Sequence, residues 1–215
     1  MTTIPSEAAL CVYCGASPGN VPEFQAAAIS LGQALARSNR PLVYGGSSKG
    51  LMGLVSSSCL KAGGEVTGII PYAMATSGEG TGEDYEQRGR NKTIIVENMH
   101  ERKMKMAMLS GGFIALPGGY GTLEEIFEVT TWSQLGIHCK PVILLNVNNY
   151  YDPLRKLVES AVASGFIRPS YAKLLTFVDA PADREQPIDW GQAALEAFDG
   201  WYSPIYQGLF QWSKL

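Results

Sequence analysis

Three stretches carry residue types and spacings suited to chemistry. The first, residues 112–125, reads GFIALPGGYGTLEE: an apolar strand-like run, a proline, three glycines around a tyrosine, then the opening of a helical pattern. Strand, glycine loop and helix start together aim backbone N–H groups and a helix dipole at an anion. Glycine tolerates the dihedrals of such a loop and lets a ligand come close to the backbone. The expected chemistry is phosphate binding by Gly118, Gly119, Gly121 and Thr122, with a neighbouring carboxylate available for reaction. The second stretch is Met99-His-Glu-Arg-Lys103, and the third is another glycine loop, Gly45-Gly-Ser-Ser-Lys-Gly-Leu-Met-Gly53.

Neither glycine loop matches a familiar nucleotide signature. A Walker A loop needs G-x-x-x-x-G-K-[ST], whereas Lys49 precedes Gly50 here. The dinucleotide fingerprint fails as well, because Gly119-Tyr-Gly121 continues as Thr-Leu-Glu and lies late in the chain. Thr122-Leu-Glu-Glu125 also reads as a capping box, with Thr122 at the N-cap and Glu125 reaching back from N3. That alone would explain Glu125, but the position also brings a carboxylate near any phosphorylated ligand in the loop. Arg102 and Lys103 adjoin on one helix, where basic residues usually face water; at least one of them facing the sheet's carboxyl edge would bind phosphate or ribose, a guanidinium bidentately.

The elements that must position these groups follow from periodicity. Apolar runs at residues 9–14, 41–44, 65–70, 93–96, 112–116 and 140–145 read as strands, those without polar alternation as strands buried on both faces. Helical spacing predicts helices over Pro22–Arg37, from Gly50 to about Lys61, over Met99–Leu109, from Thr122 to Leu135, over residues 151–164 and over 190–198. Residues 166–178 are expected to hold a short helix and a last strand. Residues 71–92 are polar, glycine-rich and aperiodic, the pattern of a binding flap or a disordered connection. Strands alternating with helices predict an α/β fold: a doubly wound parallel sheet with helices on both faces, Rossmann-like, as a single domain over residues 1–215. Its aromatic tail, residues 201–215, is expected to pack on the body or on a neighbour. Ligands bind outside the carboxyl ends of such strands. The loops at residues 14–20 (with Ser17), 45–53 (with Gly45 and Gly46) and 117–122 should therefore line one crevice.

Composition narrows the class. At 215 residues the chain suits one α/β domain. A net charge of −3 without a dense basic block argues against nucleic acid as partner. No apolar run reaches the length of a membrane span, and residues 1–9 lack a secretory pattern, so no membrane partner and a cytoplasmic location are expected. The four cysteines do not form a disulfide framework; in Cys11-Val-Tyr-Cys14 the two thiols fall on opposite faces of a strand and suit neither a bridge nor a metal. With two histidines in the chain, no metal site is expected.

Taken together, Pro117-Gly-Gly-Tyr-Gly-Thr-Leu-Glu-Glu125, Met99-His-Glu-Arg-Lys103 and the 45–53 loop resemble the Lonely Guy (LOG) family of cytokinin riboside 5′-monophosphate phosphoribohydrolases. The similarity runs from CVYCGASPG at Cys11 through residues 132–136, 140–145 and 165–167, most of the chain. The resemblance implies Arg102 and Glu125 as the catalytic pair, and contacts to the nucleotide from Lys103, Gly119, Tyr120, Gly121, Thr122, Leu123, Glu124 and Thr131. It also implies a homodimer with active sites near the interface, and no cofactor. Members are often labelled lysine decarboxylases, a label no residue here supports. The chain departs from the family pattern in two places. Residues 70–96 are longer and more polar, so the family's substrate-contacting glutamate there is Glu79 or Glu83. Ser110-Gly-Gly112 replaces a small-acidic-small sequence.

The resulting expectation is hydrolysis of the N-glycosidic bond of an adenine or N6-prenyladenine nucleoside 5′-monophosphate, a small-molecule nucleotide substrate, to free base and ribose 5-phosphate. A non-catalytic nucleotide carrier or sensor on the same fold and a phosphoribohydrolase for another nucleotide remain open, with a pyridoxal-phosphate decarboxylase more distant.

Overall fold

The apolar runs become strands because residues buried on both sides cannot alternate with polar ones. The computed structural model describes residues 5, 7–77, 89–181, 188–203 and 210. Within them lie β1 (Leu10–Tyr13), β2 (Leu42–Tyr44), β3 (Val66–Pro71), β4 (Asn91–Val96), β5 (Gly112–Ala115), β6 (Val142–Leu145) and β7 (Leu175–Val178). The helices are α1 (Pro22–Arg37), α2 (Gly50–Lys61), α3 (Tyr72–Thr76), α4 (Met99–Leu109), α5 (Tyr120–Leu135), α6 (Asp152–Ala163) and α7 (Trp190–Asp199). The strands pair in parallel in the order β4-β3-β2-β1-β5-β6-β7. This is the expected doubly wound sheet, and its winding reverses between β1 and β5, where a crevice opens at the carboxyl ends.

Alternation along β1 assigns the helices to faces. Leu10 and Val12 pack with Leu31 of α1, Val55 of α2 and Ala194 of α7. Cys11 and Tyr13 point the other way, toward Met106 of α4, Ile126 of α5 and Leu154 of α6. The opposite orientation of Cys11 and Cys14 expected from the strand is therefore found; both are buried and unbridged. The catalytic candidates on α4 and α5 share one face of the sheet.

Many element ends shift by a residue or two from expectation, and three differences have a visible cause. Residues 72–76 form a short helix inside the stretch read as aperiodic, because five residues after Pro71 are too few to show a period. β4 begins at Asn91, two residues early, as the pairing with β3 extends through Lys92. α5 begins at Tyr120, ahead of the Thr122 expected to cap it. In the tail, Trp201 packs against the α1/α2/α7 core, while Tyr206 and Trp212 lie outside the described residues.

Candidate active site

The β5–α5 loop places a helix start at the crevice. Gly119 is the N-cap, extended at φ −90° and ψ −155°, and no side chain caps the helix. The first helical bond runs from Leu123 N to Gly119 O at 3.1 Å. The N–H groups of Tyr120, Gly121 and Thr122 thus precede any intrahelical acceptor, the arrangement that binds anions. The capping box read from the sequence is not formed: Thr122 sits inside the first turn and Glu125 a turn deeper, freed from reaching back. The other glycine loop behaves differently, because Leu51 N and Met52 N at the start of α2 both point at Gly15 O, at 3.0 and 3.4 Å. Its helix start is plugged by the β1 loop, whereas among the described residues no group fills that of α5.

Glycine is required at Gly118, where a Cβ would stand 2.1 Å from Thr122 Oγ1 and 2.9 Å from Gly15 N. At Gly119 and Gly121 a Cβ would meet nothing within 4 Å. These two leave room for a ligand rather than for the protein.

Arg102 and Glu125 meet across this opening. The Arg102 guanidinium donates from Nε to Ile69 O at 3.1 Å and from Nη2 to Gly45 O at 2.9 Å, which fixes its plane. Its Nη1 lies 4.0 Å from Glu125 Oε1, with both side chains about nine-tenths buried. Gly45 makes room for it, since a Cβ there would fall 2.0 Å from Arg102 Nη2. Burial pushes the Glu125 carboxyl from its ordinary 4.5 up to about 7; Arg102 opposes this, Glu124 adds to it, and Lys103 opposes it more weakly. A carboxyl of that proton affinity can take or give a proton near neutral pH.

Lys103, next on α4, turns the opposite way. Its ammonium donates to Glu124 and, at 3.1 Å, to Glu128, both on α5. Burial alone would lower its proton affinity, but these two carboxylates raise it above the ordinary lysine value. Of the adjacent pair, of which at least one was expected at the sheet edge, Arg102 faces the crevice, while Lys103, expected to contact the nucleotide, braces α4 against α5.

The crevice encloses a cavity of about 540 Å³ between β1 and β5, bordered by Ser17, Gly45, Arg102, Gly118, Gly119, Gly121, Thr122, Glu124 and Glu125. A volume of this order suits one small ligand. Its remaining wall is apolar and sulfur-rich, with Phe24, Met52, Met74, Met99 and Met106, and Tyr150 closes one side.

Comparison with known proteins decides the family. Residues 52–186 match the family described as "Possible lysine decarboxylase". The chain is 51% identical over 205 residues to cytokinin riboside 5′-monophosphate phosphoribohydrolase LOG5 of Arabidopsis thaliana, covering 95% of this chain and 82% of that protein. It is 49% identical over 183 residues to the probable phosphoribohydrolase LOGL2 of Oryza sativa subsp. japonica, covering 84% of this chain and 71% of that one. The chain belongs to the LOG family. Among solved structures, the molybdenum cofactor carrier protein of Chlamydomonas reinhardtii superposes with a TM-score of 0.60 at 20% identity, over 88% of this chain and 96% of that one. That likeness concerns the fold alone.

Some residues expected at the site, from the LOG resemblance or from the 45–53 loop, lie away from the cavity of this chain. Tyr120 is 94% exposed on the outer side of α5. The exposed Thr131 turns its hydroxyl back to Phe127 O at 2.7 Å, and Leu123 packs against the α4/α5/α6 core. Gly46 takes φ +79° beneath Ile70, one residue beyond the cavity wall. Glu79 and Glu83 lie outside the described residues. The cavity residues that sequence reasoning missed include Phe24, Met52, Met74, Met106 and Tyr150. Met52 had a local signal, inside the 45–53 loop; the others come from segments that only the fold brings together.

Proposed function

We propose that this protein hydrolyses the N-glycosidic bond of cytokinin riboside 5′-monophosphates, N6-prenylated adenine nucleotides, and of AMP, yielding free base and ribose 5-phosphate. It thereby converts the cytokinin nucleotide into the free, active base. The observation that carries this reading is the buried Arg102–Glu125 pair, 4.0 Å apart, one helical turn beyond an open helix start. The named LOG relatives at about half identity support the substrate class.

In this reading the 5′-phosphate sits on the N–H groups of residues 120–122, and the ribose extends toward Glu125. Cleavage leaves an oxocarbenium-like ribosyl cation, which a carboxylate stabilises while it orients or deprotonates water. The C1′–N9 bond breaks with its electron pair leaving on the base, the water oxygen joins C1′, and the water proton passes by way of Glu125 toward the base. Arg102, immobilised by two carbonyls, offsets negative charge on the departing base. Phosphate binding remote from the reacting bond fixes its geometry, so unphosphorylated ribosides are poor substrates. The apolar wall suits a flat base and its alkyl substituent. Decarboxylation of lysine through pyridoxal phosphate fits poorly, because no described lysine borders the cavity and Lys103 is held by two carboxylates.

We further propose a cytoplasmic homodimer joined through α4 and α5. Met104, Met108, Phe127 and Tyr120 expose apolar surface there, and Thr131 shares that outer surface of α5. Among the described residues no helix is long and apolar enough to cross a membrane. Light scattering should return twice the chain mass; a monomer at working concentration overturns the dimer. The function is tested by chromatography of products from AMP, isopentenyladenosine monophosphate and the two ribosides. Free base from the monophosphates alone is expected; AMP bound but never cleaved would instead favour a nucleotide carrier.

A further inference from the structure

The oxygen atoms of the β5–α5 loop are as ordered as its N–H groups. An anion at a helix start is repelled by any carbonyl that turns toward it, so the carbonyls of residues 116–119 must point elsewhere. All four are engaged. Leu116 O accepts from Tyr151 Oη at 2.7 Å. Pro117 O accepts from Gly15 N at 3.0 Å, and Gly119 O from Leu123 N at 3.1 Å. Gly118 O accepts from Tyr150 Oη. Two of these four donors are consecutive phenols from a segment some thirty residues away.

That segment is built to present them. Asn146, 2% exposed, accepts from Tyr151 N at 2.7 Å and donates to Asp152 at 2.8 Å and Asp179 at 2.6 Å. Asn148 and Asn149 follow in the left-handed region, at φ +53° and +59°. Asparagine tolerates that region better than other L-residues, so the pair forms a tight turn that sets the direction of the two tyrosines. The Tyr150 ring meets Tyr151 edge to face at 5.1 Å and Phe24 at 5.8 Å, which locks its direction.

We propose that Tyr150 and Tyr151 are positioning residues of the phosphate site. They pull the Gly118 and Leu116 carbonyls away from the ligand and so keep the loop N–H groups turned toward it. Tyr150 borders the cavity but acts through the loop, because a phenol has one proton to donate and this one goes to Gly118. The proposal rests on reading the start of α5 as the 5′-phosphate site.

Tyr150→Phe keeps the ring and removes the donor. Loss of one neutral hydrogen bond corresponds to roughly a 3- to 10-fold change in an equilibrium constant. KM for AMP and Ki for ribose 5-phosphate should each rise by that factor. Ki for adenine should stay put, kcat should move less than KM, and the melting temperature should hold within a few degrees. Tyr151→Phe should shift the same constants in the same direction. Wild-type values for AMP and ribose 5-phosphate in Tyr150→Phe overturn the proposal, and so does an equal rise for adenine, which would mark damage to the whole cavity. A wild-type protein that cleaves adenosine as readily as AMP would instead overturn the phosphate reading, and this proposal with it.

Discussion

Glu125 is where activity and stability should pull apart. Its carboxyl is raised from 4.5 to about 7 chiefly by burial, and Arg102 does not fully offset that cost. A carboxyl with folded affinity above its ordinary value adds stability that is complete below pH 4.5 and is lost as pH rises through 7. At about 1.4 kcal/mol for each decade of proton affinity, ionising Glu125 in the folded protein costs roughly 3 kcal/mol more than in the unfolded chain. Glu125→Gln has nearly the same shape and never ionises, so it escapes this cost. The stability of Glu125→Gln relative to wild type should therefore grow by roughly 2–3 kcal/mol between pH 5 and pH 8, or about 5–10 °C in Tm for a chain of this size. Other carboxyls titrate alike in both proteins and cancel in the difference. Urea titrations at half-unit pH steps measure it directly. In parallel, kcat for AMP should fall by about two to four orders of magnitude, the usual contribution of a positioned acid–base group. A stability difference that is flat from pH 5 to 8 would show that Arg102 compensates the buried charge fully. Near-normal turnover in the variant would remove Glu125 from the mechanism.

Three glycine substitutions test the rest of the site. In Gly45→Ala the new Cβ would fall 2.0 Å from Arg102 Nη2 and 2.9 Å from Met52 Sδ, so the guanidinium must retreat. A displacement of about 1 Å in a positioning group costs on the order of 100-fold in rate; unchanged kcat/KM would show that Arg102 need not hold this pose. Gly118→Ala and Gly121→Ala should separate packing from binding. The first drives a Cβ to 2.1 Å from Thr122 Oγ1, and overpacking of this kind destabilises by about 1–3 kcal/mol. The second meets no protein atom within 4 Å, so its melting temperature should hold while its methyl raises KM for AMP; the reverse ranking would refute the assignment of the two glycines.

The sheet was readable from sequence because burial on both faces leaves an unbroken apolar run, as in β1, β5 and β6. The strand, glycine loop and helix unit at residues 112–135 was readable too, since its parts are adjacent in the chain. The exact start of α5 was not. Thr-x-x-Glu satisfies a capping rule locally, yet Gly119 takes an extended cap conformation and the helix begins a turn earlier than that rule implies. The shift matters, because it moves Glu125 from an exposed capping position to a buried one facing Arg102. The adjacent Arg102 and Lys103 posed a similar problem. A basic pair on a helix normally faces water, and only the α4–α5 packing shows that both are buried, each with its own carboxylate partners. Phe24 of α1, Met52 of α2 and Tyr150 from the segment between β6 and α6 reach the cavity from three separate parts of the chain, which periodicity within one element cannot foresee.

A fold shared across functions leaves what is specific to an enzyme to its side chains. A doubly wound sheet supplies a crevice at its switch point whatever the function, and an open helix start supplies an anion site. Neither requires a buried carboxyl whose ionisation is disfavoured by roughly 3 kcal/mol, or a glycine at residue 45 hollowed out for a guanidinium. A protein that only held a nucleotide would be more stable without Glu125 and would bind an anion better with that negative charge removed. In the proposed reaction that carboxylate answers a positive charge that would develop at C1′ of the departing nucleoside, a demand that a carrier of the same nucleotide would not make.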